Sequence, residues 1–265
     1  MLFRSERALK LDPALMDAQQ RLEQLKSESS VEGDFDKISQ AYFDIRYAEG
    51  LTREAGLDIR DMLLKARRTI GSHFAYWPTQ KLVVLVYSAE QFRRLRQNTP
   101  DWVAGQYDGK IRVPLPGPQF DQETVRRTMF HEYTHAILSN LTHDRLPVWF
   151  NEGLAEHETW EGQARPWVAL REAVRQDRVT PWAELSTKFS TTLSAEAVAA
   201  AYEEAQSIVD YLADRYGMWR IRRVLSAVGG GTALEEALAA ELRLKLPRVE
   251  AEWRKRLPKQ VGVAP

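Results

Sequence analysis

The chain has 265 residues, and its 37 basic side chains balance its 37 acidic ones without a long block of either sign. This balance gives no reason to expect nucleic acid or an anionic membrane as a partner. No apolar run approaches the roughly 20 residues that span a bilayer, and the absence of cysteine excludes disulfides and thiolate zinc ligands.

Residues 1–30 are expected to form a helical segment ahead of the main domain. Residues 8–13 read A-L-K-L-D-P and resemble the end of a tetratricopeptide repeat, where Asp-Pro begins the turn before the next helix. Because one such unit cannot bury a core alone, we interpret it as a truncated repeat or a terminal cap, through which a protein partner could bind. An ordinary surface helix with a proline break is the alternative. Residues 27–36 predict a linker.

Residues 31–120 predict a small sheet with helices. The expected elements are strands at Tyr42–Tyr47 and Lys81–Tyr87, helices over 52–70 and 88–97, and a hairpin from Trp102 to Pro114 around Asp108-Gly109. The continuous β-branched run of the second strand is the strongest strand signal, and Asp-Gly is a preferred hairpin turn.

Residues 131–135 read H-E-Y-T-H and have the spacing of a metal-binding motif. Asp121 is the expected N-cap of a helix whose apolar pattern continues to about Thr142. Residues four apart share a helix face, so His131 and His135 can present two imidazoles to one metal ion. Glu132 then lies beside the open position of that ion. Two imidazoles, a carboxylate base and an open position are what metal-assisted hydrolysis requires.

A catalytic zinc usually takes three protein ligands and a water, so a third ligand is expected downstream. Leu138 and Leu141 stand where the longer motif H-E-x-x-H-x-x-G-x-x-H requires Gly and His. Pro147 suits the first turn of a second helix, on which Glu152 and Glu156 lie four apart on one face. We assign Glu152 as the third ligand and Glu156 as a carboxylate that fixes the tautomer of a ligand histidine.

The stretch W-F-N-E-G-L-A at residues 149–155, whose Glu152 follows H-E-Y-T-H after sixteen residues, resembles the gluzincin metallopeptidases of the peptidase-MA clan. The N-E-G element is similar to that of zinc aminopeptidases, and a carboxylate four residues later resembles the thermolysin arrangement. The chain is also similar to bacterial peptidase-MA-like domains that follow tetratricopeptide repeats, over about residues 31–257. The resemblance implies a zinc cofactor and a peptide or protein substrate.

The resemblance also implies an α+β, zincin-like fold with the active-site helix between a sheet lobe and a mainly helical lobe. The expected regions are a repeat remnant at 1–30, a metallopeptidase domain at 31–258 with lobes at 31–120 and 121–258, and a disordered tail at 259–265. The expected later helices are 167–176, one from Ser194 or Ala195 to Tyr216, 218–228, one opened by a capping box at Thr232–Glu235, and a last one ending near Leu257.

Tyr202 is the candidate that would stabilise the oxyanion beside the metal, since the resemblance implies a tyrosine on the helix after the third ligand. Tyr211 and Tyr216 are expected to pack in the core. The remaining candidates are His143 and His157 as alternative donors or ligands, and Asn151 as a brace of the second helix. Trp102 and Trp149 could flank the cleft.

In gluzincins the edge strand of the sheet binds extended substrate by strand addition. Residues 105–107 or 110–113 could serve here, and a purely structural hairpin is the alternative.

The favoured function is a zinc peptidase, and an endopeptidase because no G-x-M-E-N exopeptidase element is present. The alternatives are a zinc-retaining binding module with little catalysis and a zinc hydrolase of a non-peptide amide. No signal peptide is visible, and the compartment is left open. A bacterial periplasmic or envelope location is favoured if a targeting segment was removed.

Overall fold

The computed structural model describes residues 32–33, 35–95, 105–115, 120–160, 162–190 and 193–263. The predicted repeat remnant and Trp102 lie outside these residues. The chain separates into two compact units. In the described part, unit 1 comprises the residues up to Asp61 and from Gln80 to Val125, whereas unit 2 comprises Met62–Thr79 and everything from Arg126 onwards.

Unit 1 contains a mixed five-stranded sheet. Its described strands are β1 (Asp36–Ser39), β2 (Phe43–Tyr47), β3 (Leu82–Ser88), β4 (Gln106–Tyr107) and β5 (Ile111–Leu115). They lie in the order β1-β2-β3-β5-β4. Strands β2, β3 and β5 pair in parallel, and β1 and β4 pair antiparallel at the two edges. The central strand β3 buries Val84, Leu85 and Val86, which explains its continuous apolar sequence.

The sheet confirms the predicted strands and hairpin but corrects two details. Gly109, at the tip of the hairpin, has a left-handed φ of +96°, which glycine adopts at low cost. Residues 36–39 form an edge strand that the sequence did not predict, because their polar sequence has a single buried apolar residue, Ile38. Strand β5 is internal, so residues 110–113 are excluded as the substrate-binding edge. Residues 106–107 keep that role as a prediction.

The rest of the described chain is mainly helical, and the predicted α+β class is confirmed. The helices are α1 (Arg53–Phe74), α2 (Ala89–Leu95), α3 (Gln122–Thr142), α4 (Val148–Thr159), α5 (Ala169–Arg175), α6 (Ala195–Tyr216), α7 (Met218–Gly229), α8 (Leu234–Leu242) and α9 (Leu246–Gln260), with a 3₁₀ helix at Trp182–Lys188. Within the described residues, none of these helices has the length and apolar character that a membrane crossing requires.

Most predicted helix ends agree with these bounds. Ser194 caps α6 by accepting from the backbone N–H of Ala197, and Gly217 ends this helix with a φ of +86°. The capping box predicted at Thr232–Glu235 is wrong, because Ala233 occupies the N-cap and no side chain caps the helix. Helix α9 continues to Gln260 rather than ending near Leu257, and Val261 is buried. The predicted tail at 259–265 therefore begins too early.

Helix α3 is stable in a largely buried position because its polar groups are satisfied locally. At its start, the Asp121 carboxylate accepts from the backbone N–H of Thr124 at 3.1 Å, as predicted for an N-cap. Further along, the buried hydroxyls of Thr134 and Thr142 each donate to the carbonyl four residues earlier, at 2.8 Å. These internal bonds let two polar residues lie inside unit 2 without other partners for their hydroxyl hydrogens.

Two buried carboxylates on α6 hold the segment that precedes it. Glu203 accepts from the backbone N–H groups of Val168 and Leu170 at 3.3 and 2.8 Å, at the start of α5. Glu204 accepts from the backbone N–H of Thr180 at 3.1 Å. Burial raises the pKa of Glu204 to about 7, although the bond to Thr180 opposes this rise.

The raised pKa of Glu204 predicts a pH-dependent stability. A folded pKa of about 7 against a model value of 4.5 favours folding at low pH, and this contribution is lost as the pH rises from about 4.5 through 7. The shift corresponds to on the order of 3 kcal/mol. We therefore expect the unfolding free energy of Glu204→Gln to rise relative to that of the wild type between pH 5 and 8, by up to about 3 kcal/mol. Urea unfolding at each pH measures the difference.

The exposed Glu235 of α8 provides the control. The difference in unfolding free energy between Glu235→Gln and the wild type should not show this rise between pH 5 and 8. A Glu204→Gln difference that stays constant from pH 5 to 8 would contradict the assignment.

Candidate metal centre

His131, His135 and Glu152, the three predicted ligands, bring one ligand atom each to a common point. The Nε2 atoms of His131 and His135 lie 3.0 Å apart. The Oε2 atom of Glu152 lies 3.3 Å from Nε2 of His131 and 3.6 Å from Nε2 of His135. Among the described residues, this is the one group of three or more His, Cys, Asp or Glu that could hold a metal ion.

These separations fit a tetrahedral zinc ion. Ligand atoms about 2.0–2.1 Å from such an ion lie about 3.3 Å from one another, close to the three observed distances. The Oε2 atom of Glu152 is buried, and among the described residues no hydrogen bond of good geometry reaches it, as expected of an oxygen that binds a metal. Two imidazoles and one carboxylate also form the donor set of known catalytic zinc sites. The residues present therefore fit zinc, while their assignment as ligands stays a prediction.

Glu156 connects the predicted ligand His131 to Trp160 and Arg165. Its Oε1 atom lies 3.4 Å from Nδ1 of His131, on the opposite side of the ring from the ligand nitrogen. Its Oε2 atom accepts from Nε1 of Trp160 at 3.2 Å and from Nη1 of Arg165. Burial would raise the pKa of Glu156, but His131 and the Arg165 guanidinium together lower it to about 2. The carboxylate is therefore ionised and held at both oxygens.

The buried Glu152 and the two histidines shift one another's pKa in opposite directions, so that each favours the charged form of the other. Burial would raise the pKa of Glu152, but the imidazoles of His135 and His131 hold it well below its usual range. Burial would lower the pKa of both histidines, but contacts with Glu152, and for His131 also with Glu156, raise it. The carboxylate and the imidazoles thus stabilise one another's charged forms.

Glu132 and Tyr202 lie beside the three predicted ligands. Glu132 is 4% exposed, and its charge acts on both His135 and Tyr202. The Tyr202 ring lies 6.5 Å from the His131 ring and contacts Phe189 edge-on at 5.1 Å. Burial, followed by the charges of Glu152, Glu156 and Glu132, raises the pKa of Tyr202. Its hydroxyl therefore keeps its proton and can donate a hydrogen bond.

A family model described as the Peptidase MA superfamily matches residues 117–259. The match covers more than half of the chain and includes the H-E-Y-T-H motif, Glu152, Glu156 and Tyr202. The chain belongs to the Peptidase MA superfamily. No curated protein matches it. Membership supports a zincin-like domain of the metallopeptidase type.

The other candidates in this Peptidase MA domain do not belong to the group of possible ligand atoms found among the described residues. His157 pairs through Nδ1 with Asp210 at 2.6 Å, and His143 is exposed in the turn after α3. Tyr211 is buried, as predicted, whereas Tyr216, which packs edge-on against it at 6.1 Å, is half-buried. Asn151 is half-buried on α4, and its role as a brace stays a prediction.

Trp149 is buried and does not flank a cleft, contrary to the expectation. Its ring is 5% exposed and packs against Phe150 and Trp182 at 5.2 and 5.8 Å. The ring instead anchors the first turn of α4, which carries Glu152.

Three residues that surround Glu156 were not predicted from the sequence. Trp160 and Arg165 contact Glu156 directly, and Gln206 contacts Arg165. Trp160 lies four residues after Glu156, a helical spacing that could have indicated it, whereas Arg165 and Gln206 belong to no motif and are distant in sequence from the predicted ligands. The buried Glu158 was also missed. It pairs with His73 at 2.8 Å and lies outside the group of ligand atoms.

Gly153 lets α4 and α6 approach closely enough to form the site. A Cβ atom at this position would lie 2.6 Å from the carbonyl oxygen of Ala205 and 2.9 Å from Cγ2 of Val209. Both distances are shorter than van der Waals contact, so any larger residue must push the helices apart. The glycine of the N-E-G element thus has a packing role in the Peptidase MA domain.

We expect Gly153→Ala to destabilise the protein and to weaken zinc binding. Overpacking costs about 1–3 kcal/mol, and separation of the helices would move the adjacent Glu152. In a helix that lacks such a contact, the same change stabilises by about 1 kcal/mol, so the sign of the effect is diagnostic. Thermal unfolding and a zinc titration test this, and a more stable variant with unchanged zinc affinity would contradict it.

Proposed function

We propose that this protein is a zinc-dependent peptidase of the gluzincin type, acting as an endopeptidase, with His131, His135 and Glu152 as the metal ligands. The observation that carries the proposal is the set of three ligand atoms at tetrahedral separations. Membership in the Peptidase MA superfamily supports it. The endopeptidase assignment rests on the missing exopeptidase element G-x-M-E-N.

Zinc, when bound, supplies Lewis acidity that polarises the scissile carbonyl and makes the attacking water more acidic. Glu132 accepts a proton from that water and passes it to the leaving amine, so one carboxylate acts as base and then as acid. Its position directly after His131 on α3, with 4% of its surface exposed, keeps it near the reaction and away from bulk solvent. Water exclusion strengthens its electrostatic effect.

Tyr202 donates its hydroxyl hydrogen to the carbonyl oxygen of the substrate as negative charge develops there. Its proximity to His131 and its interaction with Glu152 support this role. Glu156 keeps His131 in the tautomer whose Nε2 lone pair faces the metal, by accepting from Nδ1.

A binding module would not need the buried base Glu132 and the protonated phenol of Tyr202 beside the ligands. Their presence favours the catalytic function. A zinc hydrolase of a non-peptide amide would use the same residues, and the substrate panel below distinguishes it. A partner bound through the tetratricopeptide-like segment and a periplasmic or envelope location remain proposals from the sequence.

Glu132→Gln tests the enzyme. The variant keeps the shape of the side chain but removes the base, so we expect a loss of roughly 10²–10⁴ in turnover with zinc content and thermal stability preserved. Unstructured proteins and a peptide library are offered as substrates, and zinc is measured by elemental analysis. His135→Ala is the matched control, which should lose zinc as well as activity.

Equal cleavage by wild type and Glu132→Gln would contradict the proposed base. Zinc-loaded protein that cleaves no protein or peptide but hydrolyses other amides would replace the peptidase by the wider hydrolase.

Tyr202→Phe tests the oxyanion donor. Loss of one such donor costs on the order of 10²–10³ in turnover, whereas the ring contact with Phe189 is kept. We expect kcat to fall and zinc affinity to stay unchanged, and steady-state kinetics on the best peptide measure this. Tyr211→Phe, in the core of the same helix, should retain normal turnover. A Tyr202→Phe variant with near-normal turnover would transfer the role to another group.

A further inference from the structure

The loop after α4 contains a cation that contacts Glu156. Arg165 donates through Nη1 to Oε2 of Glu156 and to Oε1 of Gln206. Its guanidinium also lies 5.4 Å from the centre of the Trp160 ring and 5.6 Å from that of Trp167. With 12% of its side chain exposed, this arginine is held by two aromatic rings and two acceptors.

Three of the contacts of Arg165 lead towards the candidate metal centre. Glu156 contacts His131 through its other oxygen. Trp160 donates to the same oxygen of Glu156 as Arg165 does. Gln206 lies four residues after Tyr202 on α6, and residues at this spacing share a helix face. Arg165 therefore connects the carboxylate behind His131 to the helix that carries the candidate oxyanion donor.

We propose that Arg165 is a positioning residue for the metal centre: it fixes the Glu156 carboxylate against His131 and ties it to α6. This inference rests on the proposed zinc site. The Glu156 side chain has free rotation about three bonds in solution, and the bond to His131 alone restrains one of its oxygens. Nη1 of Arg165 and Nε1 of Trp160 restrain the other oxygen. The planar guanidinium, packed on two aromatic rings, is held in place better than a flexible ammonium would be.

Arg127 provides a matched control for this role. Its guanidinium stacks on the same Trp160 ring at 4.0 Å, and its Nη2 donates to Gln163 at 3.2 Å. The contacts of Glu156 are with His131, Trp160 and Arg165, so Arg127 supports the loop without contacting this carboxylate. A loss of loop packing alone should therefore affect Arg127 and Arg165 variants alike.

Zinc affinity and the cobalt spectrum test the proposal on the full chain. Affinity is measured by competition with a chromophoric chelator. Loss of groups that orient a ligand typically weakens metal binding 10–100-fold, so we expect about a tenfold or greater loss in Arg165→Met and less than about a twofold change in Arg127→Met. The visible spectrum of the Co²⁺-substituted protein, which reports ligand geometry, should shift in Arg165→Met alone. Arg165→Lys should recover part of the affinity.

A double-mutant cycle separates a specific role from a general one. If Arg165 acts through Glu156, then adding Arg165→Met to Glu156→Ala should cause no further loss of zinc affinity, because the coupling energy is carried by this pair. Additive losses in the double variant, or equal losses in Arg165→Met and Arg127→Met, would overturn the proposal. Should Arg165→Met not fold, Arg165→Lys is compared with Arg127→Lys by the same criteria.

Metal binding by the wild type distinguishes a failure of the proposed function from a failure of the positioning role. A wild-type protein that binds neither zinc nor cobalt would overturn the proposed function itself. Normal binding by the wild type with no difference between Arg165 and Arg127 variants would overturn the positioning role alone.

Discussion

The close packing of α4 against α6 is the constraint on which the candidate site depends. Helix α4 carries Glu152 and Glu156, and α6 carries Tyr202 and Gln206, about fifty residues later. Only a residue without a side chain lets the two backbones meet at Gly153, where a Cβ would lie 2.6 Å from a carbonyl oxygen of α6. The packing thus determines whether Glu152, Glu156 and Tyr202 can lie around one point. The electrostatic interactions among these groups depend on it.

Burial of charge is the second constraint, because an ionised side chain removed from water costs several kcal/mol unless it is paired. Unit 2 meets this cost with specific partners: Glu156 lies between His131 and Arg165, and Glu203 accepts from two backbone N–H groups. Each pairing also fixes a direction, which an apolar contact does not. The buried polar groups therefore restrict the orientation of the site.

The features predicted from sequence were those whose cause is local. The spacing of His131 and His135 on α3, the cap at Asp121 and the hairpin glycine at 109 depend on residues within one or two turns. Glu152 was likewise assigned from a local pattern, the helix start at Pro147 and the spacing to Glu156. The features that were not predicted depend on contacts between residues distant in the sequence, or lie in segments whose own sequence is uninformative. The bonds of Arg165 to Gln206 and of Glu203 to the start of α5 join residues more than thirty apart. The short strand β1 is specified by its pairing with β2, not by its own composition.

The connection between α3 and α4 shows why the third ligand comes from a separate helix. Leu138 is buried where a glycine would be needed to end the helix early, so α3 continues to Thr142. His143 and Asp144 then adopt left-handed φ values of +54° and +59°, a region in which Asp and His are enriched among residues with a side chain. Helix α7 packs against this turn: a Cβ on Gly229 would lie 2.2 Å from the carbonyl oxygen of Leu141. The direction in which α4 starts, and hence the position of Glu152, therefore depends on a helix that contributes no ligand. A fragment that ended at Glu156 would contain every predicted ligand and lack both the packing of α6 and the support of α7 that bring them together.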